Sequence, residues 1–284
     1  MPLRKDNIFM KREDSELHRE ALRQGQEYSR KMVEEYDTLW GQPFWDYVRK
    51  SRAAWMAARL ARAGAHGLRA LDAGCGIGFT AFEAAASGLF SEIVALDMSG
   101  EALAIGEKLR AEQRRTQAAE IIKFVQGDFF MLQADAPFDV VYMHEVFEHI
   151  PSAEAVFAKA RDLLAPGGFL MISTPNRDRL FNRLRVAAGR QRLLIDPFHV
   201  REYSFSEMAA ARTGWRLEAA TGRQLFDINC VAAPFAVAGN AARNFMEKAL
   251  RVAAENRVVY RAGALCPGVS AEILVLFRKR ADRG

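Results

Sequence analysis

From Leu68 to Phe277 the chain alternates short apolar runs with amphipathic segments, and this alternation limits the fold more than any single motif does. The apolar runs are Leu68–Ala73, Ile93–Asp97, Ile121–Gln126, Val140–Met143, Phe169–Thr174, Trp215–Ala219 and Ile273–Phe277. Helices are expected to begin near Phe79, Ser99, Ser152 and Phe205. Ser99 and Ser152 can act as N-caps. Ser204 with Glu207 three residues on forms a capping box, and Gly214 is a stop signal. Strand–helix–strand repetition of this kind predicts an α/β fold, with a mostly parallel sheet covered by helices on both faces.

The flanks and two interruptions read differently. Residues 1–66 read as a helical N-terminal extension or lid, with Leu17, Leu22, Met32, Val33, Tyr36 and Leu39 at roughly helical spacing among charges. A second helix is expected from Phe44 to about Ala63. The remainder, 67–284, forms the main domain, with inserts at 177–201 and 227–267. The first insert holds seven arginines and two aspartates. Both inserts follow strand ends or nearby connections, on the side of an open α/β sheet where ligands bind.

Composition narrows the class. At 50% hydrophobic and 26% charged residues, the 284-residue chain is ordinary globular material, not a disordered or collagenous one. Cys75, Cys230 and Cys266 are too few and too scattered for a disulfide framework or a zinc cluster. A net charge of +5 permits an anionic partner without demanding nucleic acid. Met1 to Glu20 lacks the apolar core of a secretion signal, and Val231 to Ala242 is too short to span a bilayer. A cytoplasmic protein is the expectation, with peripheral contact at the inner face of the membrane as an extension of it.

Four motifs carry the chemistry. Leu71-Asp72-Ala73-Gly74-Cys75-Gly76-Ile77-Gly78 sits at a strand-to-helix turn, and its alternate glycines let backbone lie directly against a ligand. A nicotinamide-binding turn would place a small residue where Phe79 stands. Asp97, at the end of the second strand, can accept hydrogen bonds from both hydroxyls of a ribose, or can cap the next helix together with Ser99. Gly127-Asp128-Phe129 ends the third strand. Asp128 can accept from an exocyclic amine and Phe129 can pack on a base. Leu164-Ala165-Pro166-Gly167-Gly168-Phe169 reads as a turn feeding the fifth strand.

In this order and spacing the four motifs resemble the class I S-adenosylmethionine-dependent methyltransferases. The likeness covers Leu68 to Thr174 well and continues more loosely to Phe277. Phe138-Asp139-Val140-Val141-Tyr142-Met143 also looks like that family's fourth strand. The resemblance implies a Rossmann-like, seven-stranded sheet whose last strand is antiparallel. It implies S-adenosyl-L-methionine as cofactor, with Gly74, Gly76 and Gly78 around its methionine part. Asp97 would meet the ribose, and Asp128 and Phe129 the adenine. Asp72, Met98 and His144 join the cofactor-binding set.

The segment His144-Glu145-Val146-Phe147-Glu148-His149 follows the fourth strand, at the mouth of the expected pocket. Its Glu-x-x-Glu-His stretch is similar to that of ubiquinone-biosynthesis O-methyltransferases and small-RNA 2′-O-methyltransferases. A hydroxyl acceptor must lose a proton, which a histidine usually takes, so His149 and His199 are the candidate catalytic residues. Glu145, Glu148, His149 and His199 would also suit a divalent metal if they converged. No metal ligand is assigned from the sequence.

The stretch Ser173-Thr174-Pro175-Asn176-Arg177, with Asp196 to Ser204, looks like bacterial methyltransferases of glycans and small molecules. Asn176, His199, Arg201 and Tyr203 suit a polyhydroxylated acceptor. The expected activity is methyl transfer to a hydroxyl of a sugar, a lipid-linked glycan or another small molecule. The alternative is a quinone-precursor phenol at a membrane surface, with residues 177–194 as a basic amphipathic contact. RNA 2′-O-methylation ranks below both, because no RNA-binding module or aromatic stacking platform is visible. Arg177 to Arg201 is expected to cover the acceptor side of the pocket.

Overall fold

The computed structural model describes residues 43–112, 117–210, 212–225 and 257–280, together with Arg23 and Val33. The expected first helix and most of the 227–267 insert lie outside the described residues. The helix expected from Phe44 runs Pro43–Arg62 (α1). The α/β core follows as β1 (Leu68–Ala73), α2 (Phe79–Ala85), β2 (Phe90–Asp97), α3 (Gly100–Glu112), α4 (Gln117–Glu120), β3 (Ile122–Gln126) and β4 (Phe138–His144). Then come a 3₁₀ turn at Phe147–His149, α5 (Ala153–Leu163), β5 (Leu164–Pro175), α6 (Leu180–Ala187), α7 (Phe205–Ala209), β6 (Trp215–Arg223), α8 (Arg257–Ala262) and β7 (Glu272–Lys279).

The seven strands order as β3-β2-β1-β4-β5-β7-β6. β7 runs antiparallel to both of its neighbours, and the other pairings are parallel. Parallel strands buried on both faces need apolar side chains on both, which is why β1, β4 and β5 read as near-continuous apolar runs. One face packs Leu71, Val141, Phe157, Ile172 and Phe277 together. The other packs Ala70, Val140, Tyr142 and Met171 under Trp55, Met56 and Leu60 of α1.

The helix signals act as their chemistry suggests. Ser152 caps α5, its side chain accepting from the Ala155 N–H, and Ser204 with Glu207 makes the full capping box of α7. The Ser99 hydroxyl accepts from the Ala102 N–H at 3.2 Å. Pro166-Gly167-Gly168 departs from expectation. The stretch lies inside β5, where the register with β4 shifts and Gly167 takes a left-handed φ of 76°. A bulge, with glycine supplying the positive φ, reads in sequence like a turn.

Chain order reverses between β1 and β4. The connections leave these two adjacent strands in opposite directions, so their C-terminal ends open a crevice. The site lies there.

Candidate active site

A cavity of about 280 Å³ opens at the C-terminal ends of β1, β2, β3 and β4. Asp72, Gly74, Gly76, Asp97, Met98, Asp128, Phe129, His144 and His149 all line it. Gly78 and His199, expected with them, are not in its wall.

The glycine loop is held from beneath. Gly74, Gly76 and Gly78 have φ of 78°, 54° and 84°, the left-handed region that glycine enters without steric cost. A Cβ on Gly74 would lie 2.5 Å from Val146 Cγ2, and one on Gly78 would lie 2.5 Å from Phe124 Cζ. At these two positions the missing side chain therefore makes room for the protein itself, which explains why Gly78 packs inward instead of facing the cavity. The Gly76 N–H donates to Asp97 Oδ2 at 2.8 Å, and the Ser99 N–H donates to Oδ1 at 2.9 Å. Asp97 thus braces the loop and caps the turn into α3 while lining the cavity.

Burial raises the pKa of Asp97, against the pull of its backbone donors. Burial, then the charge of Asp97, raises Asp72 well above the usual carboxylate range. Asp72 is 1% exposed, and only the neighbouring Tyr142 hydroxyl works against that shift. Two carboxyl groups strained in this direction favour a cationic ligand, which would draw both back toward ionisation. After β3 the Asp128 Oδ1 accepts from the Phe130 N–H at 2.8 Å, and Phe129 stands edge-on to Phe130 at 5.2 Å.

A methyltransferase-domain family model matches residues 65–205, a stretch that contains this whole crevice. The ubiquinone biosynthesis O-methyltransferase of Acinetobacter baumannii (strain ACICU) is 34% identical over 115 residues, which is 40% of this chain and 47% of that protein. Residues 65–205 carry a methyltransferase domain of the class I S-adenosylmethionine-dependent type. The chain spans about half the length of the curated relatives it matches. Two solved structures share the fold. The plantazolicin methyltransferase BpumL, solved with a pentazolic desmethylPZN analogue and SAH, has a TM-score of 0.56 at 15% identity, covering 96% of this chain and 100% of that one. The N-methyltransferase NodS of Bradyrhizobium japonicum WM9 has a TM-score of 0.53 at 12% identity, covering 91% of this chain and 100% of that one.

The other side of the cavity is built from the segment after β4. His149 Nδ1 lies 3.0 Å from the Phe198 carbonyl oxygen, so it carries a proton and donates. Burial, then the neighbouring His199, lowers His149 to about 4, leaving a neutral imidazole near neutral pH. The His149 and His199 rings meet edge-on with centroids 5.0 Å apart. The Val200 and Arg201 N–H groups both donate to the Glu148 carbonyl oxygen at 3.0 Å. Residues 198–201 therefore lie directly on the Glu-x-x-Glu-His segment.

The four groups considered for a metal separate. Glu148, His149 and His199 bring one ligand atom each to within 4.8 Å of one another. One carboxylate with two imidazoles suits a borderline divalent ion. Glu145 is drawn away. Its carboxylate accepts from Ser173 Oγ at 3.1 Å and pairs with Arg52 Nη2 at 3.2 Å. Burial, then the neighbouring Glu145, raises Glu148 well above the usual range, and its Oε1 has no hydrogen-bond partner.

His144 also sits in the wall. Its Nδ1 is 3.2 Å from Ser173 Oγ, and burial lowers its pKa well below the ordinary histidine value.

Sequence reasoning missed the contribution of α1. Trp45, Arg49 and Arg52 all line the cavity. Arg49 stands 4.0 Å over the Phe79 ring, and the buried Arg52 pairs with Glu272 Oε1 at 2.5 Å. Arg49 and Arg52 are spaced i, i+3 and so share a helix face with Trp45. That spacing was available in the sequence, but only tertiary structure says which way the face turns.

Proposed function

We propose that the protein transfers a methyl group from S-adenosyl-L-methionine to a hydroxyl of a sugar, a lipid-linked glycan or another small molecule. One observation carries the reading. The glycine loop, Asp97 and Asp128 form one wall of a cavity whose other wall ends in a neutral histidine, His149. The open backbone of the glycine loop leaves room for a ligand, and the buried carboxyl of Asp72 fits one bearing positive charge. Asp72 and the loop at Gly74–Gly76 would hold the methionine part, Asp97 the ribose, and Asp128 with Phe129 the adenine. When bound, the cofactor supplies a methyl group already activated on a sulfonium, so the protein's main work is alignment and exclusion of water.

On the acceptor side, His149 donates through Nδ1 to the Phe198 carbonyl, which leaves the Nε2 lone pair to receive a proton from the acceptor hydroxyl. Glu148 and His199 stand behind His149, outside the cavity lining, with or without a divalent ion between the three. Titration calorimetry with S-adenosylmethionine and S-adenosylhomocysteine tests the cofactor assignment, and both should bind. Incubation with methyl-labelled cofactor and fractionated cell extract then identifies the acceptor class, with label entering glycan or small molecules. Absence of binding by the folded protein removes the reading. Loss of labelling in excess chelator, restored by a divalent ion, would establish the metal.

A second reading takes a quinone-precursor phenol at a membrane surface. It is favoured by the exposed apolar side chains of the first insert. Leu184 is 60% exposed, and Val186, Leu193 and Leu194 are exposed as well, among Arg183, Arg185, Arg190 and Arg192. It is supported by the activity named for the curated relatives. Salt-sensitive binding to anionic liposomes is required by this reading alone.

A further inference from the structure

The first insert contains a buried ionic hub. Arg179, only 1% exposed, donates through Nη1 to Glu202 Oε2 and to the Asn176 carbonyl, and through Nη2 to the Leu193 carbonyl. Asn182 holds the same Leu193 from both sides, donating to its carbonyl at 2.9 Å and accepting from its N–H at 3.0 Å. Glu202 is likewise buried, and its second oxygen, Oε1, accepts from the Ile195 N–H at 2.5 Å and lies 3.1 Å from His199 Nδ1.

The chemistry of that last contact fixes a proton. Arg179 is always charged, and it holds Glu202 as a carboxylate. A carboxylate oxygen is an acceptor alone, so a neighbour at hydrogen-bond distance must be a donor. His199 Nδ1 therefore carries hydrogen, and in the neutral ring the lone pair is on Nε2. That nitrogen is 3.9 Å from Glu148 Oε1, too far for a hydrogen bond, and the His149 ring stands beside it.

We propose that Glu202 is a positioning residue. With Arg179 as its buried counter-charge, it holds His199 as the Nδ1–H tautomer and turns the Nε2 lone pair toward Glu148 and His149. The group that uses this lone pair is either the acceptor's X–H donor or a divalent ion. A carboxylate behind an imidazole sets orientation and basicity for both uses. The proposal rests on the reading of Glu148, His149 and His199 as the acceptor side, and it assigns Glu202 no contact with any ligand.

The test is ¹⁵N–¹H correlation spectroscopy of histidine-labelled full-length protein at about pH 8, well above the ordinary histidine value of ~6.5. The His199 signals are assigned by their loss in His199→Asn. The wild type should show the unprotonated, pyridine-type nitrogen at Nε2 of His199. In Glu202→Leu no acceptor is left at His199 Nδ1, and the preference for the Nδ1–H tautomer should be lost. An Nε2–H tautomer in the wild type, or a ring protonated at both nitrogens, overturns the proposal. So does a folded Glu202→Leu protein with an unchanged tautomer. Should that variant not fold, the wild-type spectrum decides alone. The readout does not depend on methyl transfer: if cofactor binding fails while the tautomer is as stated, only the functional reading falls.

Discussion

The two walls of the cavity are made from different materials. The cofactor wall is mostly backbone. Its loop spans a few residues after β1, its glycines take conformations that other residues reach only at a cost, and Asp97 braces it through main-chain N–H groups. The acceptor wall is made of side chains. His149 and His199 are 50 positions apart, and they meet because residues 198–201 hydrogen-bond onto the segment after β4. A backbone loop fails at a changed φ or at the loss of the carboxylate that braces it. A side-chain wall depends on the buried polar groups behind it, so its weakest points lie away from the cavity.

The largest effect should therefore come from a residue outside the cavity. Arg179→Leu leaves the Glu202 carboxylate buried without its counter-charge, a loss of about 3–5 kcal/mol for a buried pair. Urea unfolding should show this destabilisation, and hydrogen exchange should place the increased opening in residues 177–203. Affinity for S-adenosylhomocysteine should change little in protein that remains folded. If cofactor affinity collapses in parallel, the two walls are one structural unit and the contrast is lost.

Val146 joins the walls, because it belongs to the acceptor segment and fills the space beside Gly74. Gly74→Ala combines left-handed strain with overpacking against Val146, about 2–4 kcal/mol together. Val146→Ala in the same chain removes the clash and leaves the strain. The double variant should recover part of the stability and part of the cofactor affinity. A strictly additive result would mean that the loop moves without touching the acceptor wall.

Asp97→Ala comes next. It removes the proposed ribose acceptor and also the brace under Gly76 and Ser99. The loss of charged hydrogen bonds of this kind is about 1.5–3 kcal/mol, roughly 10- to 150-fold in affinity. Titration calorimetry should show that loss for both forms of the cofactor. Asp97→Asn keeps one carbonyl acceptor and should fall between. Equal binding by folded Asp97→Ala and wild type would assign Asp97 to structure alone.

The same contrast explains what could be read from the sequence. The glycine loop, Asp97 and Gly127-Asp128 were legible because turn chemistry is local: a positive φ or a capped turn leaves its mark within a few residues. The strand cores were legible for the same reason, although β5 begins earlier than its apolar run because the bulge at Gly167 hides the pairing. The acceptor wall was legible only in part. His149 stands in a recognisable stretch, but Arg52 finds Glu272 across 220 positions and Arg179 finds Glu202 across 23. Nothing local marks such pairs. An arginine destined for burial looks in sequence like any of the seven in its insert.

The smallest effect is a pH dependence confined to the acceptor wall. Burial, then His199, lowers His149 to about 4, below the ~6.5 expected of an unfolded chain. Above pH 6.5 the ring is neutral in both states and contributes nothing to the slope. As pH falls below that value, the unfolded chain binds a proton that the folded protein refuses, so stability declines. The decline is at most about 1.4 kcal/mol per pH unit for one proton, and it ends near pH 4, where the folded ring also protonates. His144 acts in the same direction, whereas Asp72 and Glu148, with raised values, act in the opposite one. Total stability is therefore uninformative, and the useful quantity is the difference between wild type and His149→Gln. Measured by urea unfolding in chelator at about pH 7 and pH 5, the wild type should lose more stability than the variant. An equal loss would mean that His149 protonates as freely as an exposed histidine, and that the wall it belongs to is open to water.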